Sequence, residues 1–185
     1  MIITKDELLK YDLCEKVIAI ETDTVYGLGC LLNSKNAIKR IFDIKKRDVH
    51  KPLAVLVSNL NQVKDLIVNF DEYKEYFVKY WPGAITFICP KSKMVDYDIT
   101  SNLETVGLRM PNDKKLLSII EHFGPLVMTS LNISSEEPIL KFKDALVFEN
   151  KVDFLVKGND LSNIPSTVYD LVNKKTLRKG SIDIK

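Results

Sequence analysis

The sequence contains few of the side chains that build metal sites and disulfides. Its 185 residues include two histidines and three cysteines, and Cys14, Cys30 and Cys89 form no CxxC pair. An odd number of widely spaced cysteines is typical of small buried side chains in a reducing compartment, so we predict a cytoplasmic protein without disulfides. With only His50 and His122 available, a zinc site built from nitrogen and sulfur ligands is not expected.

The chain also lacks a membrane segment, a phosphate-binding loop and a strong charge bias. No apolar run approaches the length of about 18 residues that a membrane helix needs, and the first residues show no signal-peptide pattern. Neither GxxxxGKS nor GxxxxGKT occurs, so phosphate recognition must depend on side-chain cations. The net charge of +2 does not indicate a nucleic-acid-binding protein, although a local basic patch remains compatible with one.

A stretch near the N-terminus combines a buried strand with polar residues. The run Val17–Ile20 is apolar and β-branched, which predicts a strand, and the hydroxyl and carboxylate side chains of Thr22–Thr24 follow it. Three such side chains cannot all be buried without partners, so we expect the triplet to face a cleft. Gly27 and Gly29 allow a backbone or a ligand to approach closely. The alternative is a tight connection between two strands in which the triplet caps backbone amides.

Strands and helices alternate along the rest of the chain. This alternation predicts an α/β fold with a mixed, twisted sheet in a single domain over residues 1–185. We interpret the polar segment Lys91–Asn102 as a mobile loop. The predicted later strands are Leu53–Val57, Ile85–Cys89, Thr105–Arg109, Leu126–Met128, Val152–Val156 and a hairpin from Thr167–Leu171 to Thr176–Arg178.

Polar residues concentrate where the predicted strands end, which is where α/β folds bind ligands. None of these positions forms a histidine–carboxylate or cysteine–histidine pair, so a covalent nucleophile is not indicated. The set favours binding of anions and orientation of reactants. It consists of Thr22–Thr24, Arg109, Ser130 with Asn132, and Ser166 with Thr167.

The steepest local charge bias lies on one face and at the end of a helix that is predicted to begin after Ser34. Six basic residues stand there against two acidic ones. Basic residues at the end of a helix favourably oppose its dipole, so a solvated surface is one interpretation and an RNA-binding rim is another. The basic residues are Lys39, Arg40, Lys45, Lys46, Arg47 and Lys51, and the acidic ones are Asp43 and Asp48.

Seven short segments together resemble the YrdC family, in that family's order and nearly its spacing. They are ETDTVYGLG at 21–29, KKRDVHKPL at 45–53, WPGAIT at 81–86, VGLRMP at 106–111, SLNIS at 130–134, PSTVYDL at 165–171 and LRKG at 177–180. The resemblance implies an α/β fold in which a twisted mixed sheet, flanked by helices, surrounds a large positively charged cavity.

The activity that the resemblance implies is synthesis of L-threonylcarbamoyladenylate. L-Threonine, bicarbonate and ATP would give threonylcarbamoyl-AMP and pyrophosphate, and downstream transfer proteins would then modify adenosine 37 of tRNA. Mg²⁺ is expected as the cofactor, held mainly by the phosphates of ATP rather than by side chains.

Matching positions of the family assign roles to individual residues. The implied threonine pocket consists of Thr24, Arg109, Ser130 and Ser166. The implied ATP contacts are Arg47, Lys51, Thr105, Asn132 and Arg178, of which Arg47 and Lys51 would neutralise the phosphate charge that grows during catalysis. The implied catalytic residues are Lys45, the first residue of the family's KxR segment, and Arg47. A guanidinium such as that of Arg109 can bind a carboxylate through two parallel hydrogen bonds. Without the resemblance, each of these residues could equally serve a turn, a helix end or a surface ion pair.

The chain departs from the family pattern at four positions. Glu21 stands in place of a proline, Ala84 in place of a proline and Ser135 in place of a glycine, and the chain is apolar near Leu140 where longer members offer a polar ATP contact. The resemblance ends near residue 180, which implies the form without the further C-terminal domain of longer members.

Two other functions remain open at this stage. One is an RNA-binding or ribosome-associated protein that uses the basic rim around 39–51, and the other is a YciO-like paralogue with a different activity. The intact KKR segment at 45–47 and Lys51 argue against the paralogue.

Overall fold

The computed structural model describes residues 1–184, so only the last residue of the predicted domain lies outside it. The strands are β1 (Ile2–Ile3), β2 (Ile18–Glu21), β3 (Tyr26–Leu31), β4 (Ala54–Leu56), β5 (Ile85–Pro90), β6 (Thr105–Arg109), β7 (Leu126–Ser130), β8 (Phe154–Val156), β9 (Thr167–Asp170) and β10 (Lys175–Arg178). The helices are α1 (Lys5–Leu8), α2 (Lys35–Lys45), α3 (Leu60–Leu66), α4 (Phe70–Tyr80), α5 (Tyr97–Thr100), α6 (Lys114–Phe123) and α7 (Phe142–Ala145), and a 3₁₀ helix covers Leu146–Lys151.

All ten strands form one sheet in the order β1-β8-β2-β3-β7-β4-β6-β5-β9-β10. Four neighbouring pairs are parallel, namely β1 with β8, β8 with β2, β4 with β6, and β5 with β9. The other five are antiparallel. The predicted mixed sheet of an α/β fold is therefore confirmed, and the prediction missed only the short β1 among its strands.

Alternation along the strands directs side chains to two different layers. On β7, Val127 packs into a core with α2, α3 and α4, whereas Leu126 and Met128 point to the opposite face and pack with α1 and α6. The helices α1 and α6 cover only part of that second face. The part formed by β4, β6, β5 and β9 stays open and becomes the floor of a cavity.

The start of α1 has the capping box that its sequence predicts. The hydroxyl oxygen of Thr4 accepts a hydrogen bond from the backbone N–H of Glu7, and the Glu7 carboxylate accepts one from the backbone N–H of Thr4 at 2.7 Å. Both exchanges satisfy amides that a helix start leaves without partners.

Glu21, which replaces a family proline, is buried in an ion-pair network. The Lys5 ammonium nitrogen lies 3.0 Å from a Glu21 carboxylate oxygen and 2.6 Å from one of Asp113. The backbone N–H of Asn159 also donates to Glu21. Because Asp113 caps α6 by accepting from Leu116, the network joins α1, β2 and α6.

The segment Lys91–Asn102, predicted as a mobile loop, is packed and partly helical, so that prediction is wrong. It contains α5, and Val95 and Ile99 are buried in the core. The backbone carbonyl of Ile99 accepts from the Leu53 N–H at 2.8 Å, which ties the segment to the strand beside it. Two apolar anchors in twelve residues give no detectable period, and only the tertiary contacts reveal their role.

Ser135, which stands where the family has glycine, adopts a left-handed backbone conformation with φ of 73°. A side chain in this region is unfavourable because its Cβ crowds the following carbonyl oxygen, whereas glycine has no such contact. A glycine at this position would adopt the same conformation without that contact, and this chain adopts it with a serine.

We expect Ser135→Gly to leave the free energy of unfolding unchanged or to raise it by up to about 1 kcal/mol, because relief of the crowded Cβ offsets the extra flexibility of the unfolded chain. The matched control is Ser134→Gly, whose φ is not positive and which should lower the free energy of unfolding by about 0.5 to 1 kcal/mol. Urea titration of both variants provides the comparison. Equal destabilisation by the two glycines would contradict the explanation.

Candidate functional site

The open part of the sheet forms the floor of a cavity of about 280 Å³. Its centre carries small residues: Gly27 on β3, Ala54 on β4 and Gly107 on β6 all line it. Ala54 and Gly107 are directly paired across β4 and β6. A Cβ on Gly107 would lie 3.3 Å from the methyl group of Thr86. The absence of a side chain at this position therefore leaves space for the cavity. The cavity owes its depth to small side chains at paired positions of the sheet.

The walls of the cavity carry positive charge and hydroxyl groups. Arg47, Arg109 and Arg178 line it, and none of its described lining residues is acidic. Arg109 is paired with Asp23 behind the lining residues, whereas no described carboxylate bonds to Arg47 or Arg178, so the excess of fixed cations favours an anionic ligand. The lining hydroxyls belong to Thr22, Thr86, Thr105, Thr129, Ser130 and Ser166.

Arg109, at the end of β6, is the most deeply held of the three arginines. Its Nε donates to the carbonyl of Gly83 at 3.1 Å, one terminal nitrogen donates to the Thr24 hydroxyl at 2.8 Å, and the other donates to the Asp23 carboxylate at 2.7 Å. Burial lowers the pKa of Arg109, and Asp23 opposes that effect. A guanidinium has five N–H groups, so each terminal nitrogen keeps one N–H without a partner in the described structure.

Arg178 approaches the cavity from β10 and is held by the turn before β9. Its Nε donates to the carbonyl of Ser166 at 2.9 Å, and a terminal nitrogen lies 3.2 Å from the Ser166 hydroxyl. That hydroxyl is also 2.9 Å from the hydroxyl of Thr86. Burial, and then the positive charge of Arg109, lowers the pKa of Arg178. The two arginines therefore repel each other, and an anion between them would relieve that repulsion.

Arg47 lies just beyond the end of α2, after a reversal of the chain. Lys46 caps the helix in the left-handed conformation with φ of 49°, and the N–H of Arg47 then donates to Phe42. The guanidinium donates through Nε to the carbonyl of Lys51 at 3.1 Å and through a terminal nitrogen to that of Pro52 at 3.0 Å. These bonds fix Arg47 at the cavity wall.

Lys45, two residues earlier, points into the protein. Its side chain is buried, and its ammonium donates to the carbonyls of Ser130 and Asn132 and to the Asn132 side-chain oxygen, the last two at 2.9 and 2.7 Å. The Ser130 hydroxyl donates to that same oxygen at 2.7 Å, and the Asn132 amide donates to Glu136. Lys45 thus holds the segment that follows β7.

The structure brings six of the ten predicted site residues to the cavity wall: Arg47, Thr105, Arg109, Ser130, Ser166 and Arg178. The other four do not line it. Thr24 lies against Arg109, Lys45 and Asn132 bond to each other, and the Lys51 side chain is exposed. The roles in binding and catalysis assigned to all ten residues stay predictions.

Three lining hydroxyls were not among the predicted site residues: Thr22, Thr86 and Thr129. Thr22 belongs to the triplet after β2 that the sequence predicted to face a cleft. Thr86 ends the WPGAIT segment at 81–86. Both therefore had a signal in the sequence, but only the register of the sheet shows which hydroxyls face the cavity.

Within residues 1–184, no group of three or more histidine, cysteine, aspartate or glutamate side chains is placed to hold a metal ion. The described cavity lining offers hydroxyls and cations but no carboxylate, so a metal ion there would have to be held mainly by the phosphates of a ligand. None of the helices in that part of the chain has both the length and the apolar character needed to cross a membrane.

Comparison with known proteins gives consistent matches. The model of the Sua5, YciO and YrdC family, described as "Telomere recombination", matches residues 13–180. A Threonylcarbamoyl-AMP synthase of Buchnera aphidicola from Schizaphis graminum is 35% identical over 171 residues, which cover 89% of each chain. One from Pyrococcus abyssi is 35% identical over 175 residues, covering 91% of this chain and 52% of that protein.

Solved structures agree with these sequence matches. The crystal structure of P. abyssi Sua5 complexed with L-threonine superposes with a TM-score of 0.90 at 30% identity, covering 97% of this chain and 57% of that one. The chain thus spans little more than half of the Pyrococcus protein. Escherichia coli YciO has a TM-score of 0.84 at 24% identity, covering 100% of this chain, and that likeness concerns the fold.

The buried ammonium of Lys45 leads to a prediction about stability and pH. Burial, and secondarily the charge of Arg47, lowers the pKa of Lys45 from 10.5 to about 7. Between these values the unfolded chain binds more protons at Lys45 than the folded chain does. This side chain should therefore make the free energy of unfolding rise with pH from about 7 to 10.5, by at most about 1.4 kcal/mol per pH unit.

Lys45→Met tests this prediction, with Lys39→Met on the exposed face of the same helix as the control. Urea titrations at several pH values should show that the wild type gains stability relative to Lys45→Met as the pH rises, but not relative to Lys39→Met. At pH 7 the Lys45 variant should also be less stable by about 1 to 3 kcal/mol, because three buried oxygens lose a donor. Parallel pH dependence in all three proteins would contradict the prediction.

Proposed function

The chain belongs to the family of Sua5, YciO and YrdC proteins, and from this we propose that it is a threonylcarbamoyl-AMP synthase. It is an enzyme of the nucleotidyltransferase class that uses L-threonine and ATP, with bicarbonate as the source of the carbamoyl carbon. The observation that carries the proposal is the cavity itself, whose described lining residues include three arginines and six residues with hydroxyl groups but no acidic residue.

The reaction joins two anionic reactants. The threonine amine attacks the carbon of bicarbonate, a carbon–nitrogen bond forms, and water leaves to give a carbamate. A carbamate oxygen then attacks the α-phosphorus of ATP, and the bond to pyrophosphate breaks. Both steps require groups that repel each other to be held close, which suits a cavity lined with fixed cations.

We assign the two reactants to the two sides of the cavity. Threonine would bind on the side of Arg109, Ser130 and Ser166, with its carboxylate on the two N–H groups that Arg109 leaves without partners. Thr24 supports this site through its hydrogen bond to Arg109. The assigned ATP contacts are Arg47, Lys51, Thr105, Asn132 and Arg178.

The motif suggests that Arg47 and Lys45 both act directly in catalysis, but we assign a direct role to Arg47 and an indirect one to Lys45. Arg47 would neutralise the charge that grows on the phosphates as pyrophosphate leaves, and its position in the cavity lining supports this role. Lys45 serves catalysis through the segment 130–132, which it holds in place. Neither assignment requires a covalent intermediate.

Mg²⁺ would accompany ATP, and its chemistry would be to neutralise phosphate charge. The threonylcarbamoyl product would pass in the cytoplasm to proteins that transfer it to adenosine 37 of tRNA. An RNA contact at the basic rim around 39–51 is not needed for the first reaction. No feature of the cavity favours the RNA-binding or YciO-like alternatives over synthesis.

The proposed function is tested by pyrophosphate release from the purified protein with ATP and Mg²⁺. We expect release to require both threonine and bicarbonate, each omitted in turn. Release that persists without threonine would refute the proposal. Tight RNA binding with no turnover of ATP would favour the RNA-binding alternative.

Arg47 and Arg109 should show different kinetic defects, because we assign them to different reactants. Arg109→Ala should mainly raise the KM for threonine while ATP binding survives. Arg47→Ala should lower kcat even at saturating threonine, by about a hundredfold, as is typical for loss of one preorganised donor. Steady-state pyrophosphate release with threonine and ATP varied independently measures both effects.

Lysine replacements serve as the controls for this comparison. Lysine should restore more activity at position 47 than at position 109, because a point charge can replace a phosphate contact but not a two-pronged carboxylate contact. Identical defects in the two alanine variants, or a rise in the KM for ATP alone in Arg109→Ala, would show that the two sides of the cavity are wrongly assigned.

A further inference from the structure

The partners of Arg109 are residues that do not line the cavity. The guanidinium itself lines the cavity, whereas Asp23 and Thr24, which accept from its two terminal nitrogens, do not. The third partner, the carbonyl of Gly83, accepts from Nε. One N–H on each terminal nitrogen has no partner in the described structure, so these groups remain available to a ligand in the cavity.

Asp23 forms a buried ion pair with Arg109 that no assigned role explains. Its carboxylate oxygen is 2.7 Å from the guanidinium nitrogen, and the two side chains are only 12% and 7% exposed. The backbone around Asp23 is fixed independently: its carbonyl accepts from the Asn163 side chain at 2.9 Å, and the Thr22 hydroxyl accepts from the two amides that follow. The carboxylate is thus presented to Arg109 from a rigid turn.

We propose that Asp23 is a positioning residue for the amino-acid substrate. By holding one terminal nitrogen of Arg109 from behind, it turns the remaining N–H of each terminal nitrogen toward the cavity, where the substrate carboxylate binds. The proposal rests on the proposed function, because it takes threonine as the ligand of Arg109. Asp23 itself touches no substrate.

Two features support a positioning role over competition with the substrate. Asp23 and Thr24 occupy one N–H on each terminal nitrogen, so a carboxylate can still bind in a two-pronged manner without displacing either. Asp23 also balances the positive charge of Arg109. That charge and the charge of Arg178 repel each other, because Arg109 lowers the pKa of Arg178. Without Asp23, the guanidinium would be free to turn away from Arg178 and from the bound carboxylate.

The experiment compares Asp23→Asn, Asp23→Ala, Arg109→Ala and the double variant Asp23→Ala/Arg109→Ala. Asp65→Asn, an exposed carboxylate on α3 away from the cavity, is the matched control. Threonine binding is measured by calorimetry, and pyrophosphate release is measured with threonine and ATP varied separately. Thermal unfolding identifies any variant that does not fold, and Asp23→Asn keeps the test valid if Asp23→Ala is such a variant.

We expect Asp23→Ala to raise the threonine KM and Kd by about tenfold or more, with the ATP KM and kcat changed by less than about threefold. Asp23→Asn, which keeps an acceptor but loses the charge, should show a smaller rise of the same kind. The double variant should be no worse for threonine than Arg109→Ala alone, because Asp23 acts only through that arginine. Asp65→Asn should behave as the wild type.

Three results would overturn the positioning role. Tighter threonine binding by Asp23→Asn would show that Asp23 competes with the substrate for Arg109. Equal losses of affinity for threonine and ATP would show a merely structural role. Additive losses of threonine affinity in the double variant would show that Asp23 acts independently of Arg109. A wild type that binds no threonine would instead refute the proposed function. Normal wild-type binding with unchanged variants would refute only the role of Asp23.

Discussion

The buried guanidinium of Arg109 is the interaction on which the cavity depends. A charge removed from water must be paired and hydrogen-bonded, and removing one partner of such a pair typically costs about 3 to 5 kcal/mol. The partners here come from separate parts of the chain: the turn between β2 and β3 supplies Asp23 and Thr24, and the segment before β5 supplies the carbonyl of Gly83. One side chain therefore holds together three walls of the site.

The secondary structure could be predicted from local patterns, but the direction of individual side chains could not. The apolar runs predicted nearly every strand, and the Thr4–Glu7 pair predicted the start of α1, because those signals lie within a few residues. Whether Lys45 faces solvent or the interior depends on carbonyls about 85 positions away in the sequence. The basic run after Ser34 indicated charge at the site, yet only the fold shows which cations reach the cavity.

Departures from the family pattern also need the structure for their interpretation. Glu21 places a carboxylate where the family has a proline, and the chain compensates with Lys5, so the added charge is paired inside the fold. Ser135 keeps a glycine-like backbone without a glycine. In both cases the structure shows how this chain accommodates the residue, which a motif comparison alone cannot show.

The KKR segment at 45–47 shows why a shared motif does not imply a shared role. Lys45 ends α2 and points inward, the left-handed Lys46 reverses the chain, and Arg47 consequently faces the cavity. Lys45 holds the segment 130–132, which contains both Ser130, assigned to threonine, and Asn132, assigned to ATP, whereas Arg47 is assigned to ATP alone. The end of α2 therefore connects the two sides of the cavity mechanically. A variant that removes both cations at once would combine a collapsed threonine site with a lost phosphate contact, and only single substitutions can separate the two.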